Sequence, residues 1–277
     1  MSRALSSADW ETHPRLADVR IARFAGDDDP QFGVIGDEDG VATIAVLKGD
    51  PLYAGLELTG QKIPLDDVRL LAPVIPRSKV VCVGQNYLRH AAELGGEVPD
   101  EPLIFLKPNT SVIGPGEPIL YPKQSSDVHY EGELAVVIGR ICRDVPAEQA
   151  TDVIFGYTIA NDVTARDLQR SDVQFTRAKG FDTFCPMGPF IETEFDPSDV
   201  RVVTEVDGEV KQDGRTSLMV HDIPSLIEYV SGVMTLLPGD VILTGTPEGV
   251  GPMEVGDEVE VSIAGIGTLT NKVDKRD

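Results

Sequence analysis

Apolar residues in this chain come in short runs, each closed off by Gly, Pro or Asp. Leu134 to Gly139, Ile154 to Ile159, Val200 to Val206, Val241 to Thr244 and Val255 to Ala264 are the clearest, and Lys79 to Val83 precedes them. Such runs suit β-strands, and all fall far below the length of a bilayer span. The densest, Leu134 to Ile138, suits a buried strand. Helical patterns are few: a short one from Tyr87 to Leu94 that ends at Gly95-Gly96, then others at about 146 to 153, 164 to 171 and 222 to 233. Many short strands with few helices predict a mostly β fold with some α, rolled or sandwiched, and not a doubly wound parallel sheet.

With 277 residues the chain has room for one large domain, or a large and a small one, with a substantial core. Residues 1 to 72 read as a small leading α+β domain. In it Arg20 to Phe24 and Phe32 to Ile35 are short strands, separated by the turn Gly26-Asp27-Asp28-Asp29-Pro30. Pro73 and Pro76 punctuate a linker, and residues 73 to 277 form the second domain.

The balance of 24 basic against 46 acidic residues, a net of −22, disfavours nucleic acid and anionic membrane as partners. The same far field repels acidic substrates, unless a divalent cation and a few local basic residues reverse the sign inside a site. Cys82, Cys142 and Cys185 are too few and too unevenly spaced for a disulfide framework and read as reduced, buried thiols. The leading stretch with Asp9, Trp10, Glu11 and His13 lacks an apolar signal core, which places the protein in the cytoplasm.

Carboxylates mark the first candidate site. In His129-Tyr130-Glu131-Gly132-Glu133 a strand projects Glu131 and Glu133 to one face, with Gly132 on the other. Two adjacent carboxylates repel each other, and Mg²⁺ or Mn²⁺ neutralises such a pair well. On spacing alone an ordinary polar strand edge accounts for the pattern more readily. A second apolar strand ends in Asn161-Asp162, where Asp162 offers a third oxygen ligand. Thr164 is then placed to cap a helix in which Arg166 and Gln169 share a face. Arg166 is equally placed to pair with Asp162.

Three further segments carry candidate chemistry. Lys179 sits in a Gly-, Pro- and aromatic-rich stretch, Ala178 to Pro189, suited to holding an ammonium near a substrate or simply to a surface turn. Thr244-Gly245-Thr246-Pro247-Glu248-Gly249-Val250-Gly251 follows an apolar strand, and its glycines leave N–H groups free to bind a carboxylate. It is not a phosphate-binding P-loop. His90 and Glu93, three apart on a short helix, can form a carboxylate–imidazole dyad, although the spacing is common. His13, His129 and His221 form no zinc pattern; His129 shares strand parity with Glu131 and Glu133 and so is open to a role at the metal, although a hydrogen-bonded structural role accounts for it more readily.

Taken together and in order, Glu131-x-Glu133, Asn161-Asp162-Val163-Thr164-Ala165-Arg166-Asp167, Lys179-Gly180-Phe181-Asp182-Thr183 and Gly245-Thr246-Pro247-x-Gly249-Val250-Gly251 strongly resemble the fumarylacetoacetate hydrolase family, over about residues 70 to 272. The resemblance implies the mixed β-sandwich roll of that family's C-terminal type, with a small N-terminal domain, and a homodimer. It implies Glu131, Glu133 and Asp162 as ligands of Mg²⁺ or Mn²⁺, Lys179 as a catalytic cation, and Arg166, Gln169 and Thr246 at the substrate. His90 and Glu93 look like the catalytic dyad of the acylpyruvase and oxaloacetate decarboxylase branch, carried on a lid.

The activity so implied is metal-dependent cleavage of a small 2-oxo or 1,3-dioxo carboxylic acid through an enolate held by the cation. With His90 activating water the product set is that of acylpyruvate hydrolysis; with loss of carbon dioxide it is that of oxaloacetate decarboxylation. Isomerisation, decarboxylation or hydration of 2-hydroxy-dienoates in aromatic catabolism uses related chemistry and stands as the alternative. A catalytically silent metal- or ligand-binding paralogue is the alternative of another class; it would have lost a carboxylate, the lysine or the dyad, and none is lost.

Overall fold

The computed structural model describes residues 19–93, 95–96 and 99–276. Asp9, Trp10, Glu11 and His13, and Leu94 at the end of the expected short helix, lie outside the described residues. The fold is mostly β, as the brevity of the apolar runs required.

A 12-stranded sheet runs Leu58–Pro64, Val41–Leu47, Gln31–Glu38, Arg20–Phe24, Cys185–Glu192, Ile154–Asn161, Gly132–Ile138, Val241–Leu243, Val80–Gly84, Leu103–Lys107, with two short strands paired beside this path. Every residue of Gly132–Ile138 is buried. Leu134, Val136 and Ile138 enter one core, whereas Ala135 and Val137 enter another with Cys82, Cys185 and Met187. Burial on both faces is why this strand is an unbroken apolar run and not an alternating one.

A five-stranded sheet, in the order Glu209–Arg215, Arg201–Val206, Glu258–Ile263, Gly267–Lys275, Ile119–Tyr121, packs on the first core. Arg201–Val206 and Glu258–Ile263 alternate buried with less buried residues, the pattern of a sheet with one face in the core. The helix Ile223–Val233 closes the same core. Its Asp222 cap accepts from Ser225 N at 2.9 Å, and Ile223, Leu226, Ile227 and Val230 fall on one face. Each such apolar side chain contributes about 1.5–3 kcal/mol on burial.

The leading segment continues the large sheet. Arg20 pairs with Glu192 and Ile21 with Ile191, and Ala22, Phe24, Ile44 and Val46 make a small core of their own. Two expected helices change character. The 146 to 153 pattern is a 3-10 stretch, Ala147–Asp152. The 164 to 171 pattern splits into the strand Thr164–Ala165 and the helix Arg166–Ser171. Thr164 does not cap that helix: it is paired with His129, so its backbone is held in a ladder, and its hydroxyl donates to Asp162 O at 2.8 Å. All three cysteines are buried and free. Among the described residues no helix is long and apolar enough to cross a membrane.

Candidate active site and metal centre

The ladder between Gly132–Ile138 and Ile154–Asn161 ends on the pair Gly132 and Asn161. Glu131 and Asp162 are the next residue on either chain, tied by Asp162 N donating to Glu131 O at 2.8 Å, while Glu131 N donates to Asn161 Oδ1 at 2.9 Å. Glu133 lies two residues inside the strand, on the parity of Ala135 and Val137. Oxygens of Glu131, Glu133 and Asp162 lie within 4.8 Å of one another, and all three residues are buried. Gly132 is required between the two glutamates, because a Cβ there would sit 2.2 Å from Thr204 Oγ1 and 2.9 Å from Val261 Cγ1.

One detail differs from the sequence reading. Glu131 is not inside a strand but in the break between Val128–Tyr130 and Gly132–Ile138. Val128–Tyr130 leaves the large sheet there to join Thr164–Ala165 and Gly251–Pro252 in a small sheet of its own. The two glutamates still converge.

Three cations compensate these carboxylates. Lys179, at the end of the short helix Thr176–Lys179, is buried and not in a solvated turn; its Nζ donates to Glu131 Oε2 at 2.7 Å and to Asp162 Oδ2 at 2.6 Å. Arg166 pairs with Glu131 and not with Asp162: Nη2 donates to Glu131 Oε1 at 2.5 Å, and Nη1 to Gln169 Oε1 at 2.6 Å. Lys107 went unnoticed in the sequence. Its Nζ donates to Asp162 Oδ1 at 2.5 Å and to Val163 O at 3.2 Å.

His90 and Glu93 lie on the helix Leu88–Glu93, with His90 buried over the carboxylates. His90 Nδ1 is 3.6 Å from Glu93 Oε2, too far for the expected hydrogen bond. Glu93 instead accepts from Gly249 N at 3.2 and 3.3 Å, and Arg89 pairs with Glu248 at 3.1 Å, so the helix is fastened to the glycine-rich turn. That turn binds carboxylates as its composition suggested, but the protein's own: Gly245 N donates to Glu133 Oε2 at 2.7 Å. Thr246 donates to Gly132 O at 2.9 Å and accepts from Gln212 Nε2 at 2.8 Å. His129 pairs with Asp127 and takes no part in the cluster.

The electrostatics follow from burial among these charges. Burial alone would raise Glu131, but the ammonium of Lys179 and the guanidinium of Arg166 outweigh it and hold the carboxyl well below the usual range. Glu133 goes the other way: burial and the neighbouring Asp162 and Glu131 carboxylates push it well above that range. Burial pulls Lys179 down, yet Asp162 and Glu131 together raise it. Burial, with Arg166 and Lys179 close by, lowers His90, so its imidazole is neutral at pH 7 and able to accept a proton.

His90, Glu131, Glu133, Asp162, Lys179 and Arg166 line one small cavity of about 30 Å³. Gln169 and Thr246 reach it too, so of the residues that the family resemblance placed at the metal or substrate or in the dyad, all but Glu93 border this space. Gln85, Val83, Gly84, Phe105 and Phe175 complete the wall, and none of these was assigned to it from the sequence. Lys107 sits behind Asp162 on the strand Leu103–Lys107; a lysine after four apolar residues gives no sequence signal of its inward aim. Asn86, also unassigned, donates to Thr244 O at 2.8 Å and His221 O at 2.9 Å and ties the segment before the helix Leu88–Glu93 to the turn.

Comparison with known proteins agrees with this architecture. The family model for the fumarylacetoacetate (FAA) hydrolase C-terminal domain matches residues 79–274, and the Rv2993c-like N-terminal model matches residues 19–73. Protein Rv2993c of Mycobacterium tuberculosis is 57% identical over 260 residues, 92% of this chain and 98% of that one. The mitochondrial oxaloacetate decarboxylase of Dictyostelium discoideum is 47% identical over 197 residues, 69% of this chain and 90% of that one. Among solved structures, a 5-carboxymethyl-2-hydroxymuconate delta-isomerase from Mycobacterium smegmatis superposes with a TM-score of 0.86 at 55% identity, covering 93% of this chain and 100% of that one. Fumarylpyruvate hydrolase from Pseudomonas aeruginosa, in complex with Mn²⁺ and pyruvate, gives 0.69 at 33% identity, over 75% and 92%.

Proposed function

Because the chain belongs to the fumarylacetoacetate hydrolase family, we propose that it is a divalent-metal-dependent enzyme that cleaves a small 2-oxo or 1,3-dioxo carboxylic acid, by acylpyruvate hydrolysis, oxaloacetate decarboxylation or both. The observation that carries this reading is the buried Glu131, Glu133 and Asp162 cluster, bonded to Lys179 and lining one cavity together with His90. Hard carboxylate oxygens within reach of a single ion fit Mg²⁺ or Mn²⁺. Glu133 fits too: a buried carboxyl pressed by two others is what a cation relieves. Glu131, Glu133 and Asp162 would hold the ion. When bound, it supplies a Lewis acid that polarises a keto oxygen and offsets the charge gathering there.

The chain's own groups do the rest. Lys179 places a fixed positive charge beside the oxygen that gains charge as the substrate becomes an enolate. Arg166 and Gln169, already bonded to each other, orient the substrate carboxylate. His90, neutral at pH 7, takes a proton from water in hydrolysis; decarboxylation needs no such step. Glu93 holds the His90 helix down through Gly249. The reading includes a homodimer in the cytoplasm, with no membrane or nucleic-acid partner; the net charge of −22 supports the last point.

Isomerisation is the second reading, supported by the likeness to the M. smegmatis delta-isomerase. It needs the same enolate and no attacking water. Purified protein should be assayed with Mg²⁺ and Mn²⁺ on acylpyruvates, oxaloacetate and 2-hydroxy-dienoates. Metal-dependent release of pyruvate is the expected result. Conversion of dienoates alone would move the assignment to the isomerase, and no turnover of any of them would remove it.

A further inference from the structure

The cavity has two unlike walls. One is charged, built by the three carboxylates and their cations. The other is apolar and made of Val83, Phe105 and Phe175. Phe105 comes from the strand Leu103–Lys107 and Phe175 from the residue just before the helix Thr176–Lys179. Their rings meet edge to face, with centroids 5.6 Å apart and planes at 84°. Both are half-buried, so they stand between the cavity and solvent.

Neither ring is needed to hold a metal or a carboxylate; Phe105 packs on its inner side against the core that holds Cys82 and Cys185, and its partner Phe175 is half-buried beside it. Nor are the rings free to drift. Phe105 carries Lys179 Nζ over its face at 5.1 Å. The carbonyl of Phe175 accepts from Lys179 N at 2.9 Å. A substrate whose oxygens face the charged wall directs its remaining carbon chain toward these rings.

We infer that Phe105 and Phe175 form the size filter of the site and limit the carbon substituent of a 2-oxo acid to a short one. This rests on the reading of the site as one for 2-oxo acids. In a tight apolar pocket each added methylene changes relative affinity by about 10-fold or more. The filter therefore discriminates by chain length and leaves the 2-oxo-acid end untouched.

The test is calorimetric binding of straight-chain 2-oxo acids, from pyruvate to 2-oxooctanoate, to the Mg²⁺-loaded protein, so that turnover is not needed. Wild type should bind the short acids and lose affinity as the chain grows. Phe175→Ala should raise the affinity ratio of long to short acids by about 10-fold or more, and Phe175→Leu, which keeps more of the packing, should raise it less. An unchanged ratio in both variants overturns the inference while leaving the 2-oxo-acid reading intact. So does an equal loss of affinity at every length, which would mean that Phe175 serves only to place Lys179. If wild type binds none of the acids, both readings fall.

Discussion

The Lys107 ammonium donates to Asp162 Oδ1 at 2.5 Å with both side chains sealed from solvent. Lys179 holds the other oxygen of the same carboxylate, so Asp162 is fixed from both sides. Removing one partner of a buried pair costs about 3–5 kcal/mol where the remaining charge is left uncompensated; here Lys179 still pairs with Asp162, so the cost stays below that. Lys107→Met leaves Asp162 Oδ1 without its donor and should lower unfolding stability by about 1–3 kcal/mol in urea titrations with EDTA. Mg²⁺ should restore part of the loss. A variant as stable as wild type would mean that Asp162 does not depend on Lys107.

Glu131 touches Lys179, Arg166 and, through its backbone, Asn161. Glu131→Gln keeps the volume but removes the anionic ligand. Calorimetry should show loss of most Mg²⁺ and Mn²⁺ affinity, with an unchanged circular dichroism spectrum. Undiminished binding would remove Glu131 from the ligand set.

Glu133 ties metal binding to pH. Its folded pKa is raised by burial beside Asp162 and Glu131. Such a group contributes stability that is present below its unfolded value, about 4.3, and lost as pH rises toward the folded value. Glu131 has the opposite sign, its contribution being lost as pH falls below that same unfolded value. Above it, then, Glu133 sets the trend of this pair. Because a cation binds the ionised carboxylate, it takes up a proton's place, so Mg²⁺ affinity should rise with pH from 5 upward with release of a proton. Calorimetry in buffers of different ionisation enthalpy measures that release. In Glu133→Gln the proton release should vanish.

Much of the candidate site was legible because its parts are ordered by local chain geometry. Glu131 and Glu133 converge whether or not the strand is broken between Tyr130 and Gly132, and Arg166 and Gln169 meet through one helical turn. The hydrogen-bond partner of Glu93 was not legible, for the opposite reason. Three residues put it near His90, but its partner, the Gly249 amide, lies far along the chain and competes better. Lys107, Gln212 and Phe105 are likewise brought in by strand pairing, and nothing in a single sequence fixes which strands pair. The same holds for the leading strands, whose extension of the large sheet depends on the pairing of Ile21 with Ile191.

Lys179 bridges Glu131 and Asp162 and borders the cavity. In the proposed reaction a charge in that position would act on the oxygen that gains charge, more than on the bound ground state. Lys179→Met should lower kcat by about 10²-fold or more. Steady-state kinetics with the substrate found in the metal-dependent screen decides it: an unaltered kcat with a raised KM would make Lys179 a binding residue.

His90 separates water activation from decarboxylation. Its imidazole is buried over the carboxylates, kept neutral by burial and by the nearby Arg166 and Lys179. A neutral imidazole facing the cavity can take a proton from water, which acylpyruvate hydrolysis requires and oxaloacetate decarboxylation does not. His90→Ala should lower hydrolysis by about 10²–10⁴-fold and decarboxylation much less. Glu93, 3.6 Å from the ring but bonded to Gly249 N, provides the control. Glu93→Ala frees the helix without removing the imidazole, so it should depress both reactions together by loosening the lid. The two activities should be measured on each variant at saturating Mg²⁺. If His90→Ala depresses both reactions equally, as Glu93→Ala is expected to, His90 acts by closing the site, and water activation belongs to another group.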